Sequence, residues 1–359
     1  MSKAAELAAL IGSQSALSNR NLIINGAMQV HQRGGTTTMN DGQSYSLDRF
    51  QGFASAGGTY TITQDSDTPS GEGFTNSLKV AVTSADSSLA SGDYYVIDQR
   101  IEGNVFAQAG FGTSGAKAVT LSFFVRSSVT GSHGGSLSNS AANRSYPYTY
   151  TVSSANTWEY KTITIPGDTT GTWLTTTGVG ARLYWGLGAG STASGPAGAW
   201  AAAEYRTAAS TVAPISTGSA TWYITGVQLE LGEQATPFEH RSFGDELRRC
   251  RRYTQVFLGD QNYSQVGVTG IAYSTTNLDV PVPLIPAMRS VPAIGASGTV
   301  QASNAGSGYT LTGLSIITAQ SSTDVASLRG TTSGMTAATP HRMESGNNTT
   351  ARVTLDAEL

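Results

Sequence analysis

The chain has 359 residues, a formal net charge of −3 at neutral pH and a single cysteine. Charged residues make up only 13% of the chain while Gly contributes 42 residues, a composition typical of short strands joined by polar turns rather than of a helical bundle. The slight negative charge argues against general nucleic-acid binding, and one cysteine excludes an internal disulfide framework or a cysteine-rich zinc site.

Residues 1–20 form the first segment. The spacing of Leu7, Leu10 and Ile11 predicts a short amphipathic helix, and an isolated helix of this length is marginal in water. We therefore expect this segment to pack on a partner, either in an oligomer or on a neighbouring protein. The chain has neither a signal-peptide core nor an apolar run long enough for a membrane helix, so we expect cytoplasmic synthesis and no membrane insertion.

From residue 21 to residue 242 the apolar pattern changes to a period of two. Leu121, Phe123 and Val125 alternate with other side chains, and clusters of Gly and Pro separate such runs along this stretch. Alternation of this kind places one face of each strand in a core. The segment is predicted to be an antiparallel β-sandwich.

The stretch from Leu187 to Pro214 is rich in Gly, Ala, Ser and Thr and has little periodicity. It is predicted to be a long surface loop, and loops of this length without secondary structure often carry function. Its aromatic residues Trp200 and Tyr205 are therefore candidate contact residues. The alternative is that Trp200 folds back over the sandwich.

Residues 243–253 place acidic side chains first and arginines last, as expected of a helix that complements its own dipole. This helix is predicted to connect the sandwich to a second, smaller β domain over residues 254–359. Pro281 and Pro283 fall within a strand-like run of that domain. Because proline lacks the N–H donor of a ladder, we expect both, like Pro286 and Pro292, at edge positions or in extended segments.

The search for catalytic chemistry gives no candidate. The histidines His31, His133, His240 and His341 show no paired ligand spacing, and no Gly-x-Ser-x-Gly motif occurs. Carboxylates such as Glu204 cannot be paired from the sequence into the two-acid arrangement of a glycosidase. We therefore expect no enzymatic activity, no metal ion and no cofactor.

Several passages resemble tail-fibre and virion appendage proteins of tailed phages, especially those of phages that infect cyanobacteria and other aquatic bacteria. The resemblance extends over roughly residues 20–253. The passages that carry it are residues 21–30, 32–34, 48–50, 156–173, 223–232 and 237–247.

The resemblance implies a jelly-roll sandwich like that of carbohydrate-binding modules, on a virion tail protein that is usually trimeric. It transfers no binding residue to a numbered position. The large apolar residues of the shared passages, among them Trp158, Tyr160, Trp173 and Tyr223, are expected to be buried at strand positions.

The leading hypothesis is a non-enzymatic homotrimer that attaches a virion to a glycan or protein of the host surface. The segment containing Leu7, Leu10 and Ile11 would join other tail proteins, and several copies facing one cell would gain avidity. Exposed aromatic residues would stack on sugar rings. The candidates for this contact are Trp185, Trp200 and Tyr205.

Two alternatives remain open. One is a polysaccharide-depolymerising enzyme or its carbohydrate-binding module, which would need a pair of carboxylates in a groove. The other is a capsid decoration protein built on the same sandwich.

Overall fold

The structure, a computed structural model, describes residues 19–55, 57–259 and 261–359. The chain divides into two compact units: the first ends at Glu246 and also takes in Leu359, and the second is Leu247–Glu358. Both units are built from antiparallel sheets, which confirms the predicted all-β class. The predicted helix with Leu7, Leu10 and Ile11 lies outside the described residues.

The first unit is a sandwich of two six-stranded sheets. Sheet A has the strand order β1-β4-β5-β14-β7-β10, and sheet B has the order β2-β3-β6-β11-β8-β9. These strands are β1 (Thr37–Met39), β2 (Gly42–Tyr45), β3 (Phe50–Ala54), β4 (Thr59–Asp65), β5 (Ser77–Ser84), β6 (Tyr94–Glu102), β7 (Val119–Ser127), β8 (Gly131–Asn139), β9 (Ser145–Val152), β10 (Glu159–Ile165), β11 (Val179–Ala189) and β14 (Thr221–Leu231). A short helix, α1 (Gly103–Phe106), follows β6.

The core of the sandwich lies between the two sheets. In β7, Leu121, Phe123 and Val125 point inward and are fully buried, whereas Phe124 on the outer face is half-buried. Trp185 of β11 is also fully buried in this core. Burying a large apolar side chain contributes about 1.5–3 kcal/mol, so the alternation predicted from the sequence accounts for the packing of the two layers.

The passage that begins at Asn21 completes sheet A beside β14. Val227 N donates to the carbonyl of Gly26 at 2.9 Å, and the Asn21 side chain donates to the Val227 carbonyl and accepts from Leu229 N at 3.0 and 3.1 Å. A side chain on Gly26 would meet the Val227 carbonyl oxygen at 2.1 Å. The shared passages at residues 21–30 and 223–232 therefore interlock, and their role is structural.

The stretch between β11 and β14, predicted as a long surface loop without secondary structure, lies at the surface but is partly ordered into strands. It contains the two-stranded parallel pair β12 (Ser194–Gly195) and β13 (Thr207–Ala208), and it packs on the outer face of sheet B. A Cβ on Gly134 or Gly186 would lie 2.4 or 2.5 Å from the Thr207 hydroxyl oxygen. These two glycines let the backbone of the loop approach the sheet directly.

Helix α2 (Phe243–Arg251) follows the sandwich, and the division between the units falls within it. The second unit has a three-stranded sheet, β15-β24-β18, and a seven-stranded sheet, β20-β19-β23-β16-β17-β22-β21. Their bounds are β15 (Thr254–Phe257), β16 (Gly270–Ala272), β17 (Asn277–Pro283), β18 (Ala293–Ser297), β19 (Gln301–Asn304), β20 (Ser307–Thr310), β21 (Gly313–Ile316), β22 (Val325–Thr331), β23 (Pro340–Glu344) and β24 (Arg352–Asp356).

The second unit has its own hydrophobic core, which includes Leu278, Val280, Leu328 and Val353. Pro281 and Pro283 lie in β17, an interior strand of the larger sheet. The short neighbouring strand β16 pairs with β17 only at Leu278 and Asp279, so beyond that point β17 is bonded on one side only. The edge positions expected for the two prolines are thus created by the shortness of β16.

Candidate functional site

A cleft of about 210 Å³ opens on the outer face of sheet B. Strands β2, β3, β6 and β11 supply most of it, because alternate residues of these strands point away from the core. The loop between β11 and β14 supplies the rest. The residues that line the cleft are Gln43, Phe53, Tyr94, Val96, Asp98, Arg100, Arg182, Tyr184 and Arg206.

An aromatic stack forms one wall of the cleft. The rings of Phe53 and Tyr94 are parallel to within 12°, with centroids 4.1 Å apart. The guanidinium carbon of Arg206 lies 3.8 Å from the Tyr94 centroid, and both groups fit at these distances only on opposite faces of the ring. Tyr94 is thus held between a phenyl ring and a cation, an arrangement that restricts the motion of its side chain.

A carboxylate beside the cleft is held by two of the arginines that line it. Glu204 accepts from Arg182 at 3.1 Å and from Arg206 at 2.9 Å. The Tyr184 hydroxyl lies 3.5 Å from the same carboxylate, and burial raises the pKa of Tyr184 to about 12. The tyrosine therefore remains a protonated donor at neutral pH.

Asp98 lies at the base of the cleft and is only 3% exposed. Burial raises the pKa of its carboxyl to about 6, although Arg100, Gln51 and Arg182 partly offset this effect. Gln51 donates to the Asp98 carboxylate at 2.8 Å. The charge at the base of the cleft thus changes close to neutral pH.

The loop positions its two charged side chains through backbone contacts on either side of them. Tyr205 N donates to the Ser145 hydroxyl at 3.0 Å, and Arg206 N donates to the Ala193 carbonyl at 2.8 Å. The Tyr205 ring lies directly over Gly195, where a Cβ would come within 2.2 Å of it. Glu204 and Arg206 flank this anchored tyrosine; Arg206 lines the cleft, and Glu204 lies beside it, bonded to Arg206.

The expectation that Trp185 is an exposed aromatic is wrong. Its side chain is fully buried between the sheets, and its ring packs against Phe50 and Phe123 at centroid distances of 6.2 and 6.1 Å. In β11 the inward positions are 183, 185 and 187, so the alternation that places Tyr184 in the cleft directs Trp185 into the core.

Trp200 and Tyr205 are half-buried, and neither lines the cleft. Trp200 folds back over the end of the sandwich, as the alternative interpretation has it: its ring is perpendicular to Trp173 and Phe111, and its indole N–H donates to the Pro166 carbonyl at 2.8 Å. A glycan contact at Trp200 or Tyr205 stays a prediction.

Among the aromatic residues of the shared passages, Trp173 and Tyr223 are buried, whereas Trp158 is half-buried and Tyr160 is 47% exposed. The expectation of burial is thus wrong for Tyr160. Strand β10 is at the edge of sheet A, and Tyr160 points away from the core, paired across the strands with Phe124.

The cleft residues Asp98, Arg182 and Arg206 were not among the site residues predicted from the sequence. The signal in β6 is a second alternation, in which Tyr94, Asp98 and Arg100 occupy the positions opposite the core. That pattern marks a solvent-facing side of a sheet, but it does not reveal which other strands and loops converge on it.

Within the described ranges, no group of three or more His, Cys, Asp or Glu side chains is arranged to hold a metal ion. In the same part of the chain, no helix is long and apolar enough to cross a membrane.

Comparison with known proteins gives structural likenesses only. No protein-family model and no curated protein matches the sequence. The enzymatically active domain of tailspike protein 4 of bacteriophage CBA120 is similar over 60% of this chain and 22% of its own, at 13% identity and a TM-score of 0.31.

Two carbohydrate-binding modules are similar over their whole length. The family 11 module of a cellulosomal cellulase of Clostridium thermocellum matches 56% of this chain and 97% of its own, at 12% identity and a TM-score of 0.27. TmCBM61, solved with β-1,4-galactotriose, matches 60% of this chain and 99% of its own, at 8% identity and a TM-score of 0.28. At these scores the likenesses identify neither a ligand nor a role.

Proposed function

We propose that the protein is a phage virion structural protein, a tail-fibre or appendage subunit that attaches the particle to a glycan or protein of the host surface. The observation that carries the proposal is the cleft on sheet B, which is lined by a stacked Tyr94 and by Arg182 and Arg206. Glu204 lies beside the cleft and is ion-paired with both arginines. Few, well-positioned polar groups beside aromatic rings suit the hydroxyls and apolar faces of a saccharide. The phage-like passages of the sequence support the virion role.

The proposed protein is not an enzyme. Both carboxylate oxygens of Glu204 are ion-paired with arginines, whereas a glycosidase needs two carboxyl groups that face the scissile bond. In this proposal the carboxylates accept hydrogen bonds from the ligand. The preferred receptor in this proposal is a host glycan, and the alternative receptor is a protein of the host surface.

We also propose a homotrimer that belongs to the virion tail and joins other tail proteins through its N-terminal segment. A single cleft of about 210 Å³ holds few sugar units. Three copies that face one cell convert weak single contacts into strong attachment, because the later contacts form at high effective concentration.

The test is binding of the full-length protein to intact aquatic bacteria, cyanobacteria included, before and after periodate oxidation of surface glycans. Arg206→Ala removes a cation of the cleft and is expected to weaken saturable binding about tenfold. Arg248→Ala, which removes an exposed guanidinium from α2, serves as the matched control. Equal binding by wild type and Arg206→Ala would exclude the cleft as the receptor site.

A polysaccharide-depolymerising activity is the second candidate, because the cleft brings two carboxyls near Arg182. Arg182 is ion-paired with Glu204 and acts on the charge of Asp98, whose pKa is about 6. A raised pKa is what a general acid requires. Loss of viscosity of a host capsular polysaccharide on incubation with wild type, but not with Glu204→Gln, would favour this candidate over simple attachment.

A further inference from the structure

A second groove lies on the outer face of sheet A, the sheet that does not carry the cleft. Its volume is about 530 Å³. The residues that line it are Glu72, Phe74, Ser122, Phe124, Tyr160, Gly226, Ala235, Thr236, Pro237, Phe238 and His240. It belongs entirely to the first unit.

Aromatic rings follow one another along this groove. Tyr160 lies 4.9 Å from Phe124, Phe124 lies 5.7 Å from Phe74, and Phe74 lies 5.0 Å from Phe238, measured between centroids. The His240 ring extends the row, 5.2 Å from Phe74. The result is a continuous row of rings in which Tyr160 at one end is 47% exposed and the His240 ring is also exposed.

The backbone makes room for this row. Strand β14 has an irregularity between Thr225 and Gln228, and within it Gly226 adopts a φ of 63°. A Cβ at Gly226 would lie 2.7 Å from Phe74 Cζ and 3.1 Å from Phe124 Cδ2. A glycine is therefore needed both for the left-handed conformation and for the space that the two rings occupy.

Polar groups stand around this row of rings without partners of their own. Over the described residues, the structure shows no hydrogen bond from the side chains of Glu72, Ser122, Tyr160 or His240. Glu72, Tyr160 and His240 are exposed. Four groups that can donate or accept thus converge on a floor of aromatic rings.

We propose that this groove is a second saccharide site, which takes a neutral oligosaccharide. A sugar has an apolar C–H face for the rings and hydroxyls for the surrounding polar groups, and a purely apolar ligand would leave those groups unpaired. Glu72 is an acidic residue that lines the groove, and its negative charge repels acidic sugars. The cleft on sheet B, in contrast, is lined by three arginines. The inference rests on the proposed function for its ligand class only.

The experiment measures binding of xylohexaose, cellohexaose and laminarihexaose to the full-length protein by titration calorimetry. Tyr160→Ala removes the exposed ring and is expected to weaken binding of the preferred hexasaccharide about tenfold. Phe243→Ala removes a ring that is 56% exposed and outside the groove, and it is expected to leave binding unchanged. Trigalacturonic acid is an acidic sugar and is not expected to bind in the groove. Any binding of it to the protein should therefore be the same for the wild type and Tyr160→Ala.

Arg206→Ala, measured in parallel, separates the two sites. If the groove binds as proposed, this variant keeps its affinity for the neutral hexasaccharide whatever it does to cell attachment. The proposal is overturned if none of the three neutral hexasaccharides binds the wild type, or if Tyr160→Ala binds as the wild type does. A changed oligomeric mass of Tyr160→Ala with unaltered saccharide binding would instead assign the groove to contacts between copies.

Discussion

At the scale of single residues, the direction of a side chain decides its role. Tyr184 and Trp185 are neighbours in β11, yet one lines an open cleft and the other is fully buried in the core. The period-two geometry of a strand makes this outcome obligatory once one of the two positions is inward. A large aromatic residue in a strand is therefore a candidate binding residue only after its face has been established.

The buried carboxyl of Asp98 leads to a prediction about stability and pH. Its pKa rises from 3.8 to about 6 on folding, so its favourable contribution is complete below pH 3.8 and is lost as the pH rises through 6. A pKa shift of this size corresponds to a change of about 3 kcal/mol in the free energy of unfolding between low and high pH. Asp98→Asn keeps an acceptor for Gln51 without the charge, and we expect it to raise the free energy of unfolding at pH 7.5.

The measurement is denaturant unfolding of wild type and Asp98→Asn at pH 7.5 and pH 4.5. We expect the gain to shrink at pH 4.5, where the wild-type carboxyl is largely protonated. A destabilised variant at pH 7.5 would mean that Arg100 and Arg182 stabilise an ionised Asp98, contrary to this account.

At the scale of elements, glycines on the outer face of sheet B decide where the loop lies. Gly134 and Gly186 leave the space into which Thr207 packs, and the loop then places Arg206 in the cleft, with Glu204 bonded to it. Composition led to the expectation of a long surface loop without secondary structure, because the same small residues are common in solvent-exposed segments. In this protein the small residues Gly134 and Gly186 allow the loop to pack closely on the sheet.

We predict that Gly186→Ala lowers the free energy of unfolding by roughly 1–3 kcal/mol, because its Cβ overlaps the Thr207 side chain and forces the loop from the sheet. The same variant should weaken ligand binding in the cleft by displacing Arg206. Gly218→Ala is the control, since no heavy atom lies within 4 Å of a Cβ at that position. Denaturant unfolding and cell binding of both variants check the prediction; equal stability of the two would refute the packing argument.

At the scale of the whole molecule, the chain forms two units with separate hydrophobic cores. Cooperative unfolding follows from a shared core. Units whose cores have no residue in common are expected to unfold as separate transitions. If the protein is a trimer as proposed, the unfolding temperature of the unit that carries the contacts between copies should rise with protein concentration.

We predict two transitions in scanning calorimetry, each sensitive to a different substitution. Asn21→Ala removes the side chain that bonds Val227 and Leu229 of β14, so it should lower only the transition of the first unit. Leu328→Ala, at a fully buried position of the second core, should lower only the other, by about 2–5 kcal/mol in stability. A single transition that both variants shift equally would show that the units unfold together.

The all-β class and the connecting helix were predictable from the sequence alone. Each rests on local information: alternation such as Leu121, Phe123 and Val125 is written in consecutive residues, and so is the charge order of α2. Residues 21–30 and 223–232 were both recognised in the sequence as passages of the resemblance to phage proteins. That these two passages contact each other was not predicted.

The two candidate sites, in contrast, became visible only in the folded chain. The cleft joins Phe53, Asp98, Arg182 and Arg206, which come from three strands and a loop far apart in the chain. No local pattern encodes such a convergence, because it depends on strand order, on register and on the glycines that admit the loop. The same reason explains why Tyr160, expected in the core, is exposed in a groove: the face of an edge strand is set by its neighbours in the sheet.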